Sequence, residues 1–153
     1  MAKWNYKNKD FSDEDIPQDA HGFIYVIVAY IGNAKKFYVG KKKFYQELNV
    51  KKGKKELAAM KDKRGSKKKL VRKLKYANYT GSNKELNEHI KNGIKIEKHI
   101  LKICFSKTEL TYQETRYLFK LDVLEKDCYF NDNILGKFYK HKLKQSKDGK
   151  ETV

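Results

Sequence analysis

The alternation of apolar and polar positions predicts a β-hairpin near the start of the chain. Residues 22–28 are rich in β-branched and aromatic side chains and are apolar on both faces, which is typical of a central strand. Residues 31–34 supply turn-forming residues, and residues 36–39 form the returning strand. Gly40 and three lysines follow directly, so the chain leaves the hairpin into a basic segment.

Helical spacing of apolar residues dominates the middle of the chain. It predicts helices over residues 54–63 and 67–76, the second with a narrow apolar stripe. A further helix is expected with Ser82 as its N-cap and with Gly93 as its stop.

The last third of the chain combines a strand with a long helix. Residues 94–105 begin with alternating apolar and polar residues and predict a strand. A capping box over residues 106–109 opens a helix that is expected to run to about Leu124. Residues 129–130 predict a last short strand, and the polar, basic tail from Lys140 onward is expected to fray.

The charge of the chain indicates a polyanionic partner. The 153 residues include 36 Lys and Arg against 19 Asp and Glu, a formal charge of +17. Residues 41–75 hold sixteen of the basic residues and only three acids, so most of the excess lies in one segment. Nucleic acid is the commonest partner of such a segment, and a solvated surface that only confers solubility is the simpler alternative. Lysine far outnumbers arginine, which favours contact with the phosphate backbone over base readout.

Length and composition predict one domain with polar ends. We expect an acidic flexible arm over residues 1–20, a single domain over residues 21–139 with a basic insertion at 41–75, and a basic flexible tail over residues 140–153. Neither a signal peptide nor an apolar run long enough to span a membrane is visible. The two cysteines form no metal-binding motif, and a reduced, cytoplasmic protein is the simplest expectation.

One carboxylate on the long predicted helix points away from water. An apolar stripe runs along one face of this helix, through Leu110, Tyr117, Leu118 and Leu121. Glu114 lies within the same stripe. An ionised carboxylate there costs free energy unless a cation or hydrogen bonds satisfy it. The pattern leaves two interpretations open, a buried structural ion pair and a functional carboxylate.

The predicted hairpin carries a pair of tyrosine motifs. Phe23-Ile24-Tyr25 lies on the first strand, and Tyr38-Val39-Gly40 lies on the second. With the basic segment and the inward glutamate after them, they resemble the signature of the GIY-YIG nuclease superfamily, with Phe23 in place of Gly and Val39 in place of Ile. The segments GFIYVI, FYVGKKKF, YANYTGSN, LTYQETRYLF and YFNDNI extend the resemblance to a phage-encoded, Seg-like branch of endonucleases.

This resemblance implies an α/β (α+β) fold in which a three-stranded antiparallel sheet is flanked by helices. It also implies a metal-dependent endonuclease that hydrolyses phosphodiester bonds in DNA, with one Mg²⁺ or Mn²⁺ ion per active site bound by Glu114. Tyr25 is then the candidate general base, and Tyr38 positions water or phosphate. These roles suit a hydrolysis that needs an aligned nucleophile and charge neutralisation, although a tyrosine acts as a base only if nearby cations lower its pKa.

The resemblance leaves the basic catalytic residue open. Many members of the superfamily carry an arginine where this chain has Leu48. Lys42, which leaves the second strand beside the expected site, is the first candidate, and Arg72 on the predicted basic helix is the second. Either residue could instead be a plain phosphate contact. Nucleic-acid contacts are expected from Lys41, Lys42, Lys43, Lys68, Arg72 and Asn131.

Asn131 is either an asparagine of the active site, as in the family, or a turn former before Asp132 and Asn133.

Three functional hypotheses remain after the resemblance. The metal-dependent endonuclease is the leading hypothesis, with DNA as the expected partner, RNA still open, no membrane, and the host cytoplasm as the location if the chain is phage-encoded. A catalytically inactive nuclease fold that binds nucleic acid is the second, because the usual arginine is missing. A basic RNA-associated protein is the third.

Overall fold

The computed structural model describes residues 2–51, 54, 67–73 and 75–143 of the chain. Its strands are β1 (Trp4–Tyr6), β2 (Lys9–Asp10), β3 (Gly22–Ile31), β4 (Ala34–Lys43), β5 (Tyr45–Lys51), β6 (Lys67–Lys73), β7 (Lys95–Cys104), β8 (Asn133–Ile134) and β9 (Phe138–Tyr139). Its α-helices are α1 (Lys84–Lys91) and α2 (Lys107–Lys120), and short 3₁₀ turns lie at Asp13–Asp15 and Lys140–Lys142.

Strand β3 is the centre of the main sheet. It pairs antiparallel with β4 on one side and with β7 on the other. The turn into β4 places Gly32 at a φ of +59°, in the left-handed region that glycine adopts without strain. The predicted central strand, hairpin and third strand are therefore confirmed, and the three strands form the expected antiparallel sheet.

The N-terminal arm extends this sheet. β1 pairs in parallel with β7 and antiparallel with β2, so the described sheet has the order β2-β1-β7-β3-β4. Trp4 is only 2% exposed, and its ring packs against Phe23 and Tyr25 at centroid distances of 5.0 and 5.2 Å. The loose order predicted for residues 1–20 is wrong for the described part of the arm. The apolar surface of Trp4 and Phe11 is buried in the core and outweighs the polar composition around it.

Alternate residues of β3 face two separate cores. Phe23, Tyr25 and Ile27 belong to a core that includes the arm and α1, and we call this side of the sheet the aromatic face. Ile24 belongs to a second core with the apolar residues of α2, and we call this side the helix face. Because β4 lies at the edge of the sheet, side chains from both faces can meet around it.

The described residues on either side of the basic segment form two paired strands, where one of the two predicted helices was expected. β5 and β6 pair antiparallel along their whole length. The helix predicted over residues 67–76 is wrong, because strand pairing with β5 overrides a weak apolar stripe. The helix predicted over residues 54–63 lies outside the described residues, except for Lys54. Phe44 and Tyr76, both buried, pack edge to face at 5.1 Å and anchor the base of the hairpin in the aromatic core.

Side-chain caps fix the starts of both helices. Asn83, one residue after the predicted cap, begins α1, and its Oδ1 accepts a hydrogen bond from Leu86 N at 2.9 Å. Ser106 begins α2 as predicted, with its Oγ accepting from Glu109 N at 3.0 Å. α2 ends at Lys120, and the chain continues in turns through residues 121–125 rather than in helix to about residue 124. None of the described helices is long and apolar enough to cross a membrane.

The segment after α2 covers the outer edge of β4. Tyr129 forms a single parallel bridge with Phe37, and Phe130 N donates to Phe37 O at 2.7 Å. The strand predicted at residues 129–130 is therefore reduced to one bridge, and a short strand, β8, follows at Asn133–Ile134. Fraying was predicted from Lys140 onward. It is wrong for the described residues 140–143, because Lys140 Nζ donates to Lys126 O at 2.9 Å and to Tyr129 O at 2.7 Å. Residues 144–153 lie outside the described residues.

Candidate active site

A cleft of about 770 Å³ opens at the edge of β4. It lies between β4, the start of α1, the middle of α2 and the segment around Asn131. Its polar lining consists of Tyr38, Ser82, Asn83, Lys84, Glu85, Glu114, Asn131, Asp132 and Asn133. A second cavity, of about 940 Å³, lies between the arm and the β5–β6 hairpin and includes Lys43 among the predicted residues. The first cleft is therefore the candidate active site, because Tyr38, Glu114 and Asn131 line it.

Tyr38 and Glu114 reach this cleft from opposite faces of the sheet. Tyr38 projects from β4 on the aromatic face, and its hydroxyl hydrogen-bonds with Ser82 Oγ at 3.2 Å. Glu114 projects from α2 on the helix face, and its side chain is 19% exposed. The helical pattern correctly predicted that Glu114 points inward. The edge position of β4 lets both side chains share one opening.

The Glu114 carboxylate is only partly compensated. Lys41 Nζ lies 3.9 Å from Glu114 Oε1 and donates a hydrogen bond to Thr111 Oγ1 at 3.1 Å. Burial raises the pKa of Glu114, while the Lys41 charge and a hydrogen bond from the Lys41 backbone partly lower it. Both interpretations of this residue keep support, since an ion pair is present but it is long and leaves the carboxylate with a raised pKa.

Replacing Lys41 with methionine should raise the pKa of Glu114 further. The change removes the charge that opposes the effect of burial and keeps the backbone hydrogen bond. The measurement is an NMR titration of the Glu114 side-chain carboxyl carbon in both proteins. An unchanged midpoint would show that the two charges are not paired in solution.

Tyr25 is enclosed by aromatic rings. It is 1% exposed, and its ring packs against those of Tyr38 at 6.2 Å and Tyr79 at 6.0 Å. Burial, followed by the proximity of Tyr38 and Tyr79, raises the pKa of Tyr25 far above its ordinary value. In this arrangement the hydroxyl stays protonated at neutral pH, and its role as a general base stays a prediction.

Two glycines make room for Tyr25 and Tyr38, which we call the tyrosine pair. Gly40 pairs with Tyr25 across the hairpin, and a Cβ at Gly40 would lie 2.5 Å from the Tyr25 hydroxyl oxygen. Gly81 has a φ of +84°, and a Cβ there would lie 2.9 Å from the Tyr38 ring. The glycine of the second tyrosine motif therefore has a steric reason, which is to leave space for the first tyrosine.

The predicted basic residues have different surroundings. Lys42 Nζ lies 4.4 Å from the centre of the Tyr79 ring, and that ring packs against Tyr25. Lys43 is exposed and lines the second cavity instead of the cleft. Arg72 pairs with Gln46 on the β5–β6 hairpin, so the basic helix expected to carry it is absent. The side chains of Arg72 and Lys68 lie outside what the structure describes.

Of the predicted residues, Tyr38, Glu114 and Asn131 line the cleft. Tyr25 packs against Tyr38, and Lys41 lies beside Glu114. Lys42 contacts the Tyr79 ring, which packs against Tyr25. Sequence reasoning missed Tyr79, Gly81 and Ser82, which contact the two tyrosines. These three residues belong to the segment YANYTGSN, so a signal was present, but nothing in its composition showed that the segment folds over the hairpin.

Asn131 clamps the edge strand beside the cleft. It is 6% exposed, its Oδ1 accepts from Val39 N at 3.0 Å, and its Nδ2 donates to Val39 O at 2.8 Å. The amide thus imitates a neighbouring strand at one residue of β4. Of the two interpretations, a place at the site agrees with this geometry, and these hydrogen bonds are not those of a turn former.

Replacing Asn131 with alanine should destabilise the fold by about 1–3 kcal/mol, because both polar groups of Val39 lose their partner. Asn131→Asp should be no better, since it keeps the acceptor and turns a second carboxylate oxygen towards Val39 O. Urea unfolding of the three proteins measures the effect. Free energies of unfolding that agree within error would contradict the clamp.

A family model described as "Putative endonuclease segE, GIY-YIG domain" matches residues 4–134. Comparison with curated proteins and with solved structures finds no significant match. The matched range runs from β1 to β8 and includes the tyrosine pair, Glu114 and Asn131. Because the match covers most of the chain and the mixed α/β structure agrees with it, this protein belongs to the GIY-YIG family of endonuclease domains.

Proposed function

We propose that this protein is a metal-dependent endonuclease that hydrolyses phosphodiester bonds in DNA. The observation that carries the proposal is the meeting of Tyr38 and Glu114 in one cleft at the edge of β4. The family supports nuclease activity and a nucleic-acid substrate in general. The metal ion, the choice of DNA and the roles of individual residues belong to the proposal.

Glu114 is the residue that would bind the metal ion. Among the residues that the structure describes, no three His, Cys, Asp or Glu side chains converge on one point. Mg²⁺ in enzymes that act on phosphates commonly takes one or two carboxylates and completes its shell with water and substrate oxygens. A single carboxylate that burial leaves partly uncompensated fits that mode. When bound, such a cation would neutralise charge on the phosphate and make a nearby water more acidic.

The two tyrosines act as oriented hydroxyl groups in this proposal. Tyr38 lines the cleft, and burial raises its pKa. Its protonated hydroxyl can therefore donate a hydrogen bond to a phosphate oxygen or hold the attacking water. Tyr25 lies behind it with a still less acidic hydroxyl, and it supports the position of Tyr38. Aligning water and phosphate in this way lowers the entropic part of the barrier.

Lysine supplies the positive charge that the usual arginine would supply. The Lys42 ammonium lies against the Tyr79 ring, which packs against Tyr25, and it is our candidate for stabilising negative charge on the phosphate during cleavage. The many basic residues of the range 41–75 are suited to contact the sugar-phosphate backbone, and Lys68 and Arg72 on β6 are among them. Such contacts carry little base specificity.

Nicking of supercoiled plasmid by the purified chain tests the proposal. We expect Mg²⁺ or Mn²⁺ to support conversion to the open circle and EDTA to stop it. Single-stranded DNA and RNA of the same sequence, assayed in parallel, establish the substrate class. A folded protein that shifts DNA in a gel but never cuts with either metal would contradict the proposal. It would favour the alternative of a catalytically inactive nuclease fold that binds nucleic acid, which the leucine at position 48 in place of the usual arginine keeps open.

A further inference from the structure

A buried lysine outside the cleft holds the loop that covers the tyrosine pair. Lys98, on β7, is 1% exposed, and its Nζ donates to the carbonyl oxygens of Ala77 at 2.7 Å and Tyr79 at 3.0 Å. The same ammonium group lies 4.3 Å from the centre of the Trp4 ring. Burial lowers the pKa of Lys98 to about 8, so placing a cation here costs free energy that a leucine would not.

The held segment is residues 76–82, which we call the tyrosine loop. Besides the two bonds from Lys98, Trp4 Nε1 donates to Tyr76 O at 2.8 Å. At the other end of the loop, Asn87 Nδ2 on α1 donates to Gly81 O at 3.0 Å. The arm, β7 and α1 therefore all hold the backbone of one short loop.

The tyrosine loop touches three groups of the proposed site. The Tyr79 ring contacts both Lys42 Nζ and the ring of Tyr25. Gly81 packs against the ring of Tyr38, and Ser82 hydrogen-bonds with its hydroxyl. A small displacement of the loop would therefore move a candidate cation and both tyrosines at once.

We propose that Lys98 is a positioning residue for cleavage, which places the tyrosine loop and, through it, the Lys42 ammonium and the Tyr38 hydroxyl. The inference rests on the proposed nuclease function. Its geometric basis is that the two acceptors of a fully buried cation are carbonyl groups of the very loop that contacts the site. Trp4 has a related role, because its indole N–H fixes the start of the same loop.

The test compares Lys98→Met with Lys102→Met, a control at an exposed lysine of the same strand. Lys98→Met keeps the length of the side chain and removes the ammonium group. We expect its single-turnover nicking rate at saturating protein to fall between about tenfold and a hundredfold, as for a small misplacement of catalytic groups. DNA affinity measured in EDTA should change little, and Lys102→Met should match the wild type in both.

An NMR readout separates positioning from general stability. The backbone amides of Gly81 and Ser82 should shift in Lys98→Met, and those of the β8–β9 hairpin should not. Should Lys98→Met fail to fold, Trp4→Phe provides the second variant, because it keeps an aromatic ring and removes the bond to Tyr76 O together with part of the indole ring. It should slow nicking with the fold intact.

The outcomes distinguish the two proposals. A wild-type chain that never nicks overturns the nuclease function and this inference with it. An active wild type together with a folded Lys98→Met or Trp4→Phe of the same rate overturns only the inference, as do unchanged amide shifts in the tyrosine loop.

Discussion

Replacing Gly40 with alanine should destabilise the fold and slow cleavage together. The new methyl group would lie 2.5 Å from the Tyr25 hydroxyl oxygen and 2.7 Å from its Cζ. The Tyr25 ring is buried and packs against the rings of Trp4, Tyr38 and Tyr79. Overpacking of this kind costs about 1–3 kcal/mol. Because Tyr25 supports Tyr38, the nicking rate should fall as well. Urea unfolding and single-turnover nicking measure the two effects.

A double substitution tests the steric cause. Tyr25→Phe removes the oxygen atom nearest to the new methyl group, so Gly40→Ala should cost less free energy in the Tyr25→Phe background than in the wild type. The ring carbon Cζ remains close, and the relief should therefore be partial. Strict additivity of the two changes would show that Gly40 acts by some route other than contact with Tyr25.

Glu114→Gln should abolish cleavage without weakening the fold. Glutamine keeps the size of the side chain and loses the charge that would bind the metal ion, so the nicking rate should fall at least about a hundredfold. Burial raises the pKa of Glu114, which means that the ionised carboxylate destabilises the folded state at neutral pH. The variant should be as stable as the wild type or more stable. Single-turnover nicking and urea unfolding at pH 7 measure the two effects.

The pH dependence of stability gives this prediction a sign. A carboxyl group whose pKa is raised by folding binds more protons in the folded state, so its contribution to stability is fully present below the unfolded pKa and is lost as the pH rises through the folded pKa. The free energy of unfolding of the wild type, relative to Glu114→Gln, should therefore fall as the pH rises from acid to neutral. If the free energy of unfolding of the wild type rose with pH relative to that of Glu114→Gln, the Lys41 charge would outweigh burial in its effect on the pKa of Glu114.

The main sheet could be predicted from the sequence because its strands carry strong local signals. β3 is apolar on both faces and lies between two strands and two cores, so pattern and environment agree. The prediction of a helix over residues 67–76, where the structure has β6, was wrong for the opposite reason. Its lysine-rich sequence has little preference of its own, and its pairing partner β5 is a tertiary influence that apolar spacing does not reveal. The prediction of a loosely ordered arm was wrong for a similar reason, because burial of Trp4 and Phe11 in the core holds the arm on the sheet.

The candidate site divides in the same way. Tyr25 and Tyr38 were proposed from the resemblance of their two motifs to a known signature, and Glu114 was proposed from its place in the apolar stripe of a predicted helix. The contacts of the tyrosine loop could not be predicted, because Lys98 and Trp4 hold it through backbone carbonyl groups. Every residue carries such a group, so the sequence does not show which ones accept these hydrogen bonds. For Asn131 the sequence left a place at the site and a turn-forming role open, and its hydrogen bonds to the Val39 backbone depend on an edge strand that only the fold defines.

The most direct test of the proposed active site is a Mg²⁺ titration of plasmid nicking by the wild type and Glu114→Gln, at equal DNA occupancy. Glu88→Gln, the same change at an exposed residue of α1, serves as the control for the lost negative charge. The wild type and Glu88→Gln should nick at a rate that rises with Mg²⁺ and saturates, while Glu114→Gln stays near background at every concentration. A wild type that binds DNA without nicking it, or a Glu114→Gln protein that nicks as fast as the wild type, would contradict the assignment of this cleft.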